Sequence, residues 1–252
     1  MDGGRLESHG IYKCLRGVAW DQQGECQGLT FYRAIYADSD VRRENIGFRC
    51  VISIDRKAPL QQVCVPLGNC EFIDGSGRKQ IVNYRFGLAR FAVTNEEFRE
   101  FRPAHQYPPR EARCPVVNVS WQEARDFCRW KSQKEGQTYR LPMRHEWELA
   151  CRGLAGRKYP WGDAYSPYWC NSLESGWGRP VDVDSLPQGA SPEGIYHLCG
   201  NVFEWLSNGE AVGGGYNATC NTYGAPPYPN GANGSRDGRP FIGFRYVTIL
   251  PL

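Results

Sequence analysis

The chain has 252 residues, of which 41% are hydrophobic and 23% are charged. These proportions are typical of a soluble globular protein with one large or two small domains, and they exclude a mainly disordered chain. The net charge of +3 is too small to indicate a nucleic-acid partner, and no run approaches the roughly 18 apolar residues of a membrane helix. Residues 1–10 contain no apolar segment, so we expect no signal peptide, which favours a cytoplasmic location.

Eleven cysteines are present, an odd number that cannot all form disulfides. No CxxC spacing occurs, which excludes the usual zinc-knuckle arrangement. We therefore expect most of the cysteines to be small buried hydrophobic residues.

Two segments near opposite ends of the chain resemble each other. Residues 46–51 and 242–247 both read Ile-Gly-Phe-Arg-x-Val, and each follows a glycine-containing turn that leads to an aromatic residue, Trp20 or Tyr216. A solenoid needs three or more such units, so this pattern favours a single partial duplication. We predict a partial repeat of the C-terminal third at residues 1–57 and a main domain at residues 58–252.

The main domain opens with two β-rich segments, residues 61–73 and 81–93, which predict strands. Thr94 with Glu97 three residues later predicts a capped helix. Ser120 with Glu123 repeats this pattern before a run of apolar residues at helical spacing.

Pro142 precedes a third, short helical segment, and the chain after Gly153 is rich in Gly, Pro, Asn and aromatic residues. Such a composition is typical of short strands joined by long loops. The predicted fold class is therefore α+β, with its helices early in the domain.

Five motifs then follow in an order that resembles one family. They are Pro115-Val116-Val117-Asn118-Val119-Ser120-Trp121, Tyr139-Arg140-Leu141-Pro142, Tyr159-Pro160-Trp161-Gly162-Asp163, Gly200-Asn201-Val202-Phe203-Glu204-Trp205 and Gly243-Phe244-Arg245. Together they are similar to the formylglycine-generating-enzyme (sulfatase-modifying factor) family, over about residues 60–248. The resemblance implies an elaborated C-type lectin fold with short strands, few helices and much irregular loop.

The resemblance also implies which cysteines an active member needs. Enzymes of the family hold copper with two thiolates, and these two positions fall on Ala218 and Tyr223 here. The nearby thiol is Cys220, so we expect no formylglycine-forming activity. An alternative is a metal-dependent oxidase or tailoring enzyme with a displaced site around Cys220.

A related branch, the ergothioneine-type sulfoxide synthases, binds iron through three histidines of an added helical domain. The four histidines of this chain are scattered, with no HxxxH or HxH spacing: His9, His105, His145 and His197. We therefore expect no non-haem iron site.

Calcium is the one cofactor that the resemblance leaves as a candidate. The family's ligands correspond to the backbone carbonyls of Gly200 and Val202 and the carboxylate of Glu204, while a fourth ligand falls on His197, a poor one for calcium. The alternative is structural: Glu204 accepts hydrogen bonds from loop amides while Trp205 fills the core.

The most informative loop spans residues 213–241, where Tyr, Asn, Ser, Asp and Arg alternate with small residues. This composition is typical of adaptable recognition surfaces, although an ordinary surface loop can share it. In C-type lectin folds this region carries ligand-binding residues. The candidate ligand-binding residues are Tyr216, Asn217, Thr219, Asn221, Tyr223, Tyr228, Asn230, Asn233, Ser235, Arg236 and Asp237.

The C-terminal segment also uses a restricted set of amino acids. Residues 211–252 contain no Lys, Glu, Gln, Trp or Met, although about seven would be expected at the frequency of the whole chain. Diversity-generating retroelements mutate adenines in Asn-type codons, and their codon pattern cannot produce these five residues. The leading hypothesis is therefore a non-catalytic variable protein of such a retroelement, which binds a protein or other macromolecule through its C-terminal loops. A third hypothesis is a structural or regulatory module that joins a larger assembly through residues 8–53.

Overall fold

The structure, a computed structural model, describes residues 64–219 and 237–250, together with two short strands nearer the N-terminus. The chain divides into two compact units, Met1–Pro59 and Leu60–Leu252. In the first unit, β1 (Lys13–Arg16) pairs antiparallel with β2 (Arg33–Tyr36). The remainder of residues 8–53 lies outside the described residues, so the partial repeat and its role in an assembly stay predictions.

An antiparallel hairpin begins the described part of the second unit. Its strands are β3 (Cys64–Ile73) and β4 (Lys79–Ala89), in place of the predicted 61–73 and 81–93. The register shifts at Gly68, whose φ is +99°. A Cβ atom at this position would lie only 2.2 Å from the Tyr84 carbonyl oxygen. Only glycine fits such a close approach, so this residue fixes the bulge.

Two helices begin where the capping patterns predict them. α1 (Asn95–Phe101) is capped by Thr94, whose hydroxyl accepts a hydrogen bond from a backbone amide of the first turn. α2 (Trp121–Glu135) has a complete capping box at Ser120 and ends at Gly136, which has a left-handed conformation. Each cap satisfies amide groups that a helix end leaves without an intrahelical partner.

The third helix, α3 (Arg144–Arg152), follows Pro142 as predicted, and Glu146 closes its first turn by accepting from the Met143 amide at 2.7 Å. It buries Trp147, Leu149, Ala150 and Cys151 against the hairpin. Three short 3-10 turns occur among the described residues: Pro109–Glu111, Leu173–Ser175 and Pro187–Gly189.

The remaining strands are short, as the loop-rich composition predicts. They are β5 (Tyr139–Arg140), β6 (Phe203–Trp205), β7 (Ala211–Val212), β8 (Ile242–Gly243) and β9 (Val247–Leu250). β9 lies between β4 and β5 in a four-stranded antiparallel sheet, and β8 runs parallel to β6 in a three-stranded sheet. The last strands of the chain therefore connect both sheets.

The core is dominated by aromatic residues between the helices and the C-terminal strands. Phe127 of α2 stacks on Phe98 of α1 with ring centroids 5.9 Å apart, and it meets Phe244 edge-on at 5.3 Å. All three rings are buried. The described helices and short strands confirm the α+β class, and none of these helices is long and apolar enough to cross a membrane.

The cysteines whose side chains the structure describes are free thiols, and all except Cys70 are buried. Burial raises the pKa of Cys114, Cys128 and Cys151 to about 12. Such thiols remain protonated and unreactive near neutral pH, which supports their interpretation as small hydrophobic residues.

Candidate functional site

A buried ion pair lies beside the junction of β6 and β8. The Arg245 guanidinium, fully buried, donates from Nη2 to Oε1 of Glu204 at 2.6 Å and from Nε to Oε2 at 2.7 Å. The indole Nε1 of Trp147 donates to the same Oε2 at 2.9 Å. Arg245 also donates to the carbonyl oxygens of Ala89 and Tyr196, so both charged groups are satisfied within the core.

This geometry bears on the candidate calcium site of Gly200, Val202 and Glu204. Both carboxylate oxygens of Glu204 face a guanidinium, so a calcium ion would meet an existing positive charge. His197 is buried, and burial together with the Arg245 charge lowers its pKa to about 4. These residues do not fit a calcium ion, and the described residues include no group of three His, Cys, Asp or Glu side chains placed to hold a metal.

The structural alternative for Glu204 also needs correction. Its carboxylate binds side chains, not loop amides, because Arg245 and Trp147 reach it from two other elements. Trp205 does fill the core as expected: it is 3% exposed, and its indole donates to the Val119 carbonyl oxygen at 3.0 Å.

The candidate recognition loop leaves the core and returns to it at neighbouring points. On the outgoing side, Tyr216 donates its backbone amide to the Asn201 carbonyl oxygen at 3.0 Å. On the returning side, the Arg239 carbonyl accepts from the Asn118 amide at 2.9 Å. The Tyr216 hydroxyl reaches the Pro240 carbonyl oxygen at 3.4 Å, so the two stems of the loop meet.

Asn201 connects the outgoing stem to two further loops. It is fully buried, and its side-chain oxygen accepts from the Val181 amide at 2.9 Å and from Asn171 Nδ2 at 3.0 Å. Its amide nitrogen donates to the Val181 carbonyl at 3.1 Å. The stem therefore starts from a rigid, fully hydrogen-bonded frame.

The predicted binding residues fall into two groups. Tyr216 is half-buried at the stem, while Asn217, Thr219 and Asp237 are exposed at the two sides of the loop. The others lie outside the described residues: Asn221, Tyr223, Tyr228, Asn230, Asn233, Ser235 and Arg236. The structure thus brings together the two ends of the predicted surface.

Ala218 stands at the first of the two positions that need cysteine in the family's enzymes. Its side chain packs against the main core cluster, and its backbone is fixed by hydrogen bonds to the Gly215 carbonyl and from the Leu173 amide, both 3.0 Å. No thiol is available at this position. Cys220 and Tyr223 lie outside the described residues.

Exposed apolar side chains beside this stem were not predicted from the sequence. Tyr168, Trp169, Leu173 and Trp177 are 59%, 37%, 58% and 52% exposed, and the Leu173 amide is bonded to the stem. We call the three aromatic residues of this set, Tyr168, Trp169 and Trp177, together with Leu173, which lies between them in sequence, the aromatic strip. Gly176 and Gly178 flank Trp177, and a tryptophan between two glycines in a turn is the signal that could have indicated exposure.

Comparison with known proteins identifies the family of the chain. The model of the family described as sulfatase-modifying factor enzyme 1-like domain matches residues 55–249. The chain therefore belongs to this family, which confirms the resemblance seen in the five motifs.

Of two bovine relatives, one is named as an inactive enzyme and the other as the enzyme itself. The chain is 36% identical over 104 residues to the inactive C-alpha-formylglycine-generating enzyme 2 of Bos taurus. This alignment covers 37% of this chain and 33% of that protein. The chain is 33% identical over 126 residues to the formylglycine-generating enzyme of Bos taurus, in an alignment that covers 44% and 32%. The matches thus span about a third of either relative.

The fold itself is shared with a solved structure, Treponema denticola variable protein 1. The TM-score is 0.57 at 16% sequence identity, and the match covers 74% of this chain and 92% of that chain. This similarity confirms the C-type lectin fold of the formylglycine-generating-enzyme type.

Proposed function

We propose that this chain is a non-catalytic ligand-binding protein whose C-terminal loops form a hypervariable surface, and that it is the variable protein of a diversity-generating retroelement. Its ligand is a protein or another macromolecule, bound through the surface that starts at Tyr216, Asn217 and Thr219 and ends at Asp237. The restricted amino-acid set of residues 211–252 motivates the proposal. The name of Treponema denticola variable protein 1 supports it.

The observation that carries the proposal is the closed stem of the loop. Tyr216 and Pro240 meet across it, and each side is bonded to a buried or fixed part of the domain. The base of the loop, including Ala218 packed on the core, is thus held apart from the exposed positions Asn217, Thr219 and Asp237, which is what a surface of varying sequence requires.

The aromatic strip supports a macromolecular ligand. Tyrosine and tryptophan contribute large contact areas at low entropic cost and are enriched among the residues that dominate interface energies. Its frame is rigid, because Asn171 is fully buried and donates to the Arg179 carbonyl oxygen at 2.9 Å as well as to Asn201. The residues of the strip lie outside the proposed variable segment, so they provide affinity that does not depend on the sequence of the loop, while the loop selects the ligand.

Ala218 argues against a copper enzyme of the type known in the family. A thiolate pair suits Cu(I), whereas a methyl group packed on the core supplies no ligand. A catalytic member with a displaced site would have to rely on Cys220.

Metal analysis of the purified full-length protein tests this point. After exposure to copper and to iron followed by desalting, we expect far less than one metal ion per chain, with no change on Cys220→Ser. Cys70→Ser, which removes a half-buried thiol elsewhere, is the matched control. One copper or iron per chain, lost on Cys220→Ser and kept on Cys70→Ser, would establish the enzyme alternative instead.

A further inference from the structure

A groove with a positively charged lining runs along α2. We call it the α2 groove; it has a volume of about 500 Å³ and lies between α2, β5 and residue 207. Trp121, Arg125 and Arg129 line it at helical spacing, one turn apart on one face of the helix. The volume is within the range of small-molecule sites.

The charges of the groove are unbalanced. Among the residues that the structure describes, three arginines line it and no carboxylate does. Arg140 is held by both oxygens of the buried Glu146, and Arg129 pairs with Asp126 at 2.9 Å. Arg125 has no carboxylate partner among the described residues. The groove therefore presents one uncompensated guanidinium.

Arg125 is also held in place. Its guanidinium carbon lies 4.6 Å from the centroid of the Trp121 ring, a cation–π contact. The indole is itself fixed, because Nε1 donates to the Leu206 carbonyl oxygen at 2.8 Å. A guanidinium stacked on a fixed ring loses little further freedom when it binds an anion.

The floor of the groove is apolar and its rim is polar. Cys128 and Leu141 are nearly buried beneath it, the half-buried Trp121 and Tyr139 supply its accessible apolar surface, and Gln133 and Ser207 are exposed at the rim. Hydrogen-bond donors at the rim and apolar atoms below them suit an amphipathic molecule.

We propose that the α2 groove binds a small organic anion. A carboxylate or phosphate group accepts hydrogen bonds from Arg125, and an apolar body lies against the half-buried Trp121 and Tyr139. Its described lining residues lie on α2, on β5 and at Leu141 and Ser207, none of them within the described parts of the loop at 213–241. The ordinary alternative is a solvated face of exposed arginines, which binds no ligand with saturation.

Isothermal titration calorimetry of the full-length protein with four defined probes tests the site. The probes are phenyl phosphate, benzoate, inorganic phosphate and phenol. We expect saturable binding of phenyl phosphate or benzoate, tighter than that of inorganic phosphate and of neutral phenol. Whichever aryl anion binds more tightly identifies the preferred anionic group.

Arg125→Ala is expected to weaken that binding about tenfold or more, because a charge-assisted hydrogen-bonding partner is removed. Arg99→Ala is the matched control: Arg99 is exposed and lies 4.8 Å from the centroid of the Tyr107 ring, but it does not line the groove. Binding that is absent in the unmodified protein, or equal in Arg125→Ala and Arg99→Ala, would overturn the proposal. Thermal denaturation of both variants should match the unmodified protein, since both arginines are exposed.

Discussion

Arg245→Met is expected to lower the free energy of unfolding by about 3–5 kcal/mol, because it leaves the carboxylate of Glu204 buried without its charged partner. Glu204 is 1% exposed, and the indole of Trp147 would be its one remaining side-chain donor among the described contacts. The change also removes the donors to the carbonyl oxygens of Ala89 and Tyr196. Urea denaturation followed by tryptophan fluorescence measures the loss.

Two further variants identify the cause of this loss. The double variant Glu204→Leu, Arg245→Met removes both charges and is expected to recover much of the lost stability, because an apolar pair can replace a buried ion pair. Arg129→Met breaks the exposed pair with Asp126 and should cost at most about 1 kcal/mol. A loss below about 1 kcal/mol for Arg245→Met would contradict the role of the ion pair.

Asn201→Ala is expected to cost about 3 kcal/mol, the second-largest effect. The side chain makes three buried hydrogen bonds, and its loss leaves both backbone groups of Val181 without that partner. Its φ of +66° adds to the cost, since asparagine tolerates the left-handed conformation better than alanine does. Chemical denaturation gives the stability, and amide exchange at Val181 reports the local opening.

Asn201→Asp separates the contributions of the two side-chain groups. Aspartate keeps an acceptor for the Val181 amide but cannot donate to the Val181 carbonyl, so exchange at this amide should be less affected than in Asn201→Ala. Asn217→Ala, at an exposed site on the same stem, should change stability by less than about 0.5 kcal/mol. Equal stability of Asn201→Ala and Asn217→Ala would show that the frame does not depend on Asn201.

Local features of the fold could be predicted from the sequence. Thr94 and Ser120 mark helix starts through their side-chain chemistry, which acts within one turn of the chain and can be recognised without any tertiary contact. The five motifs then indicated the family, and the family indicated the fold.

Long-range pairing could not be predicted in this way. Glu204 and Arg245 each belong to a motif, yet their contact depends on β8 lying parallel to β6, a pairing that hydrophobic periodicity does not encode. From the sequence alone, Glu204 is therefore expected to be a calcium ligand or a partner of loop amides. The exposure of Trp169 cannot be predicted for a related reason, since apolar composition alone does not indicate which aromatic residues remain at the surface.

The central claim, that the C-terminal loop is a surface diversified by a retroelement, is tested most directly by sequencing the DNA around the gene. We predict a near-identical copy of the region that encodes residues 213–241, next to a reverse transcriptase gene, with differences only at adenines of the copy. A gene with neither a copy nor a reverse transcriptase nearby, or differences spread over all four bases, would contradict it.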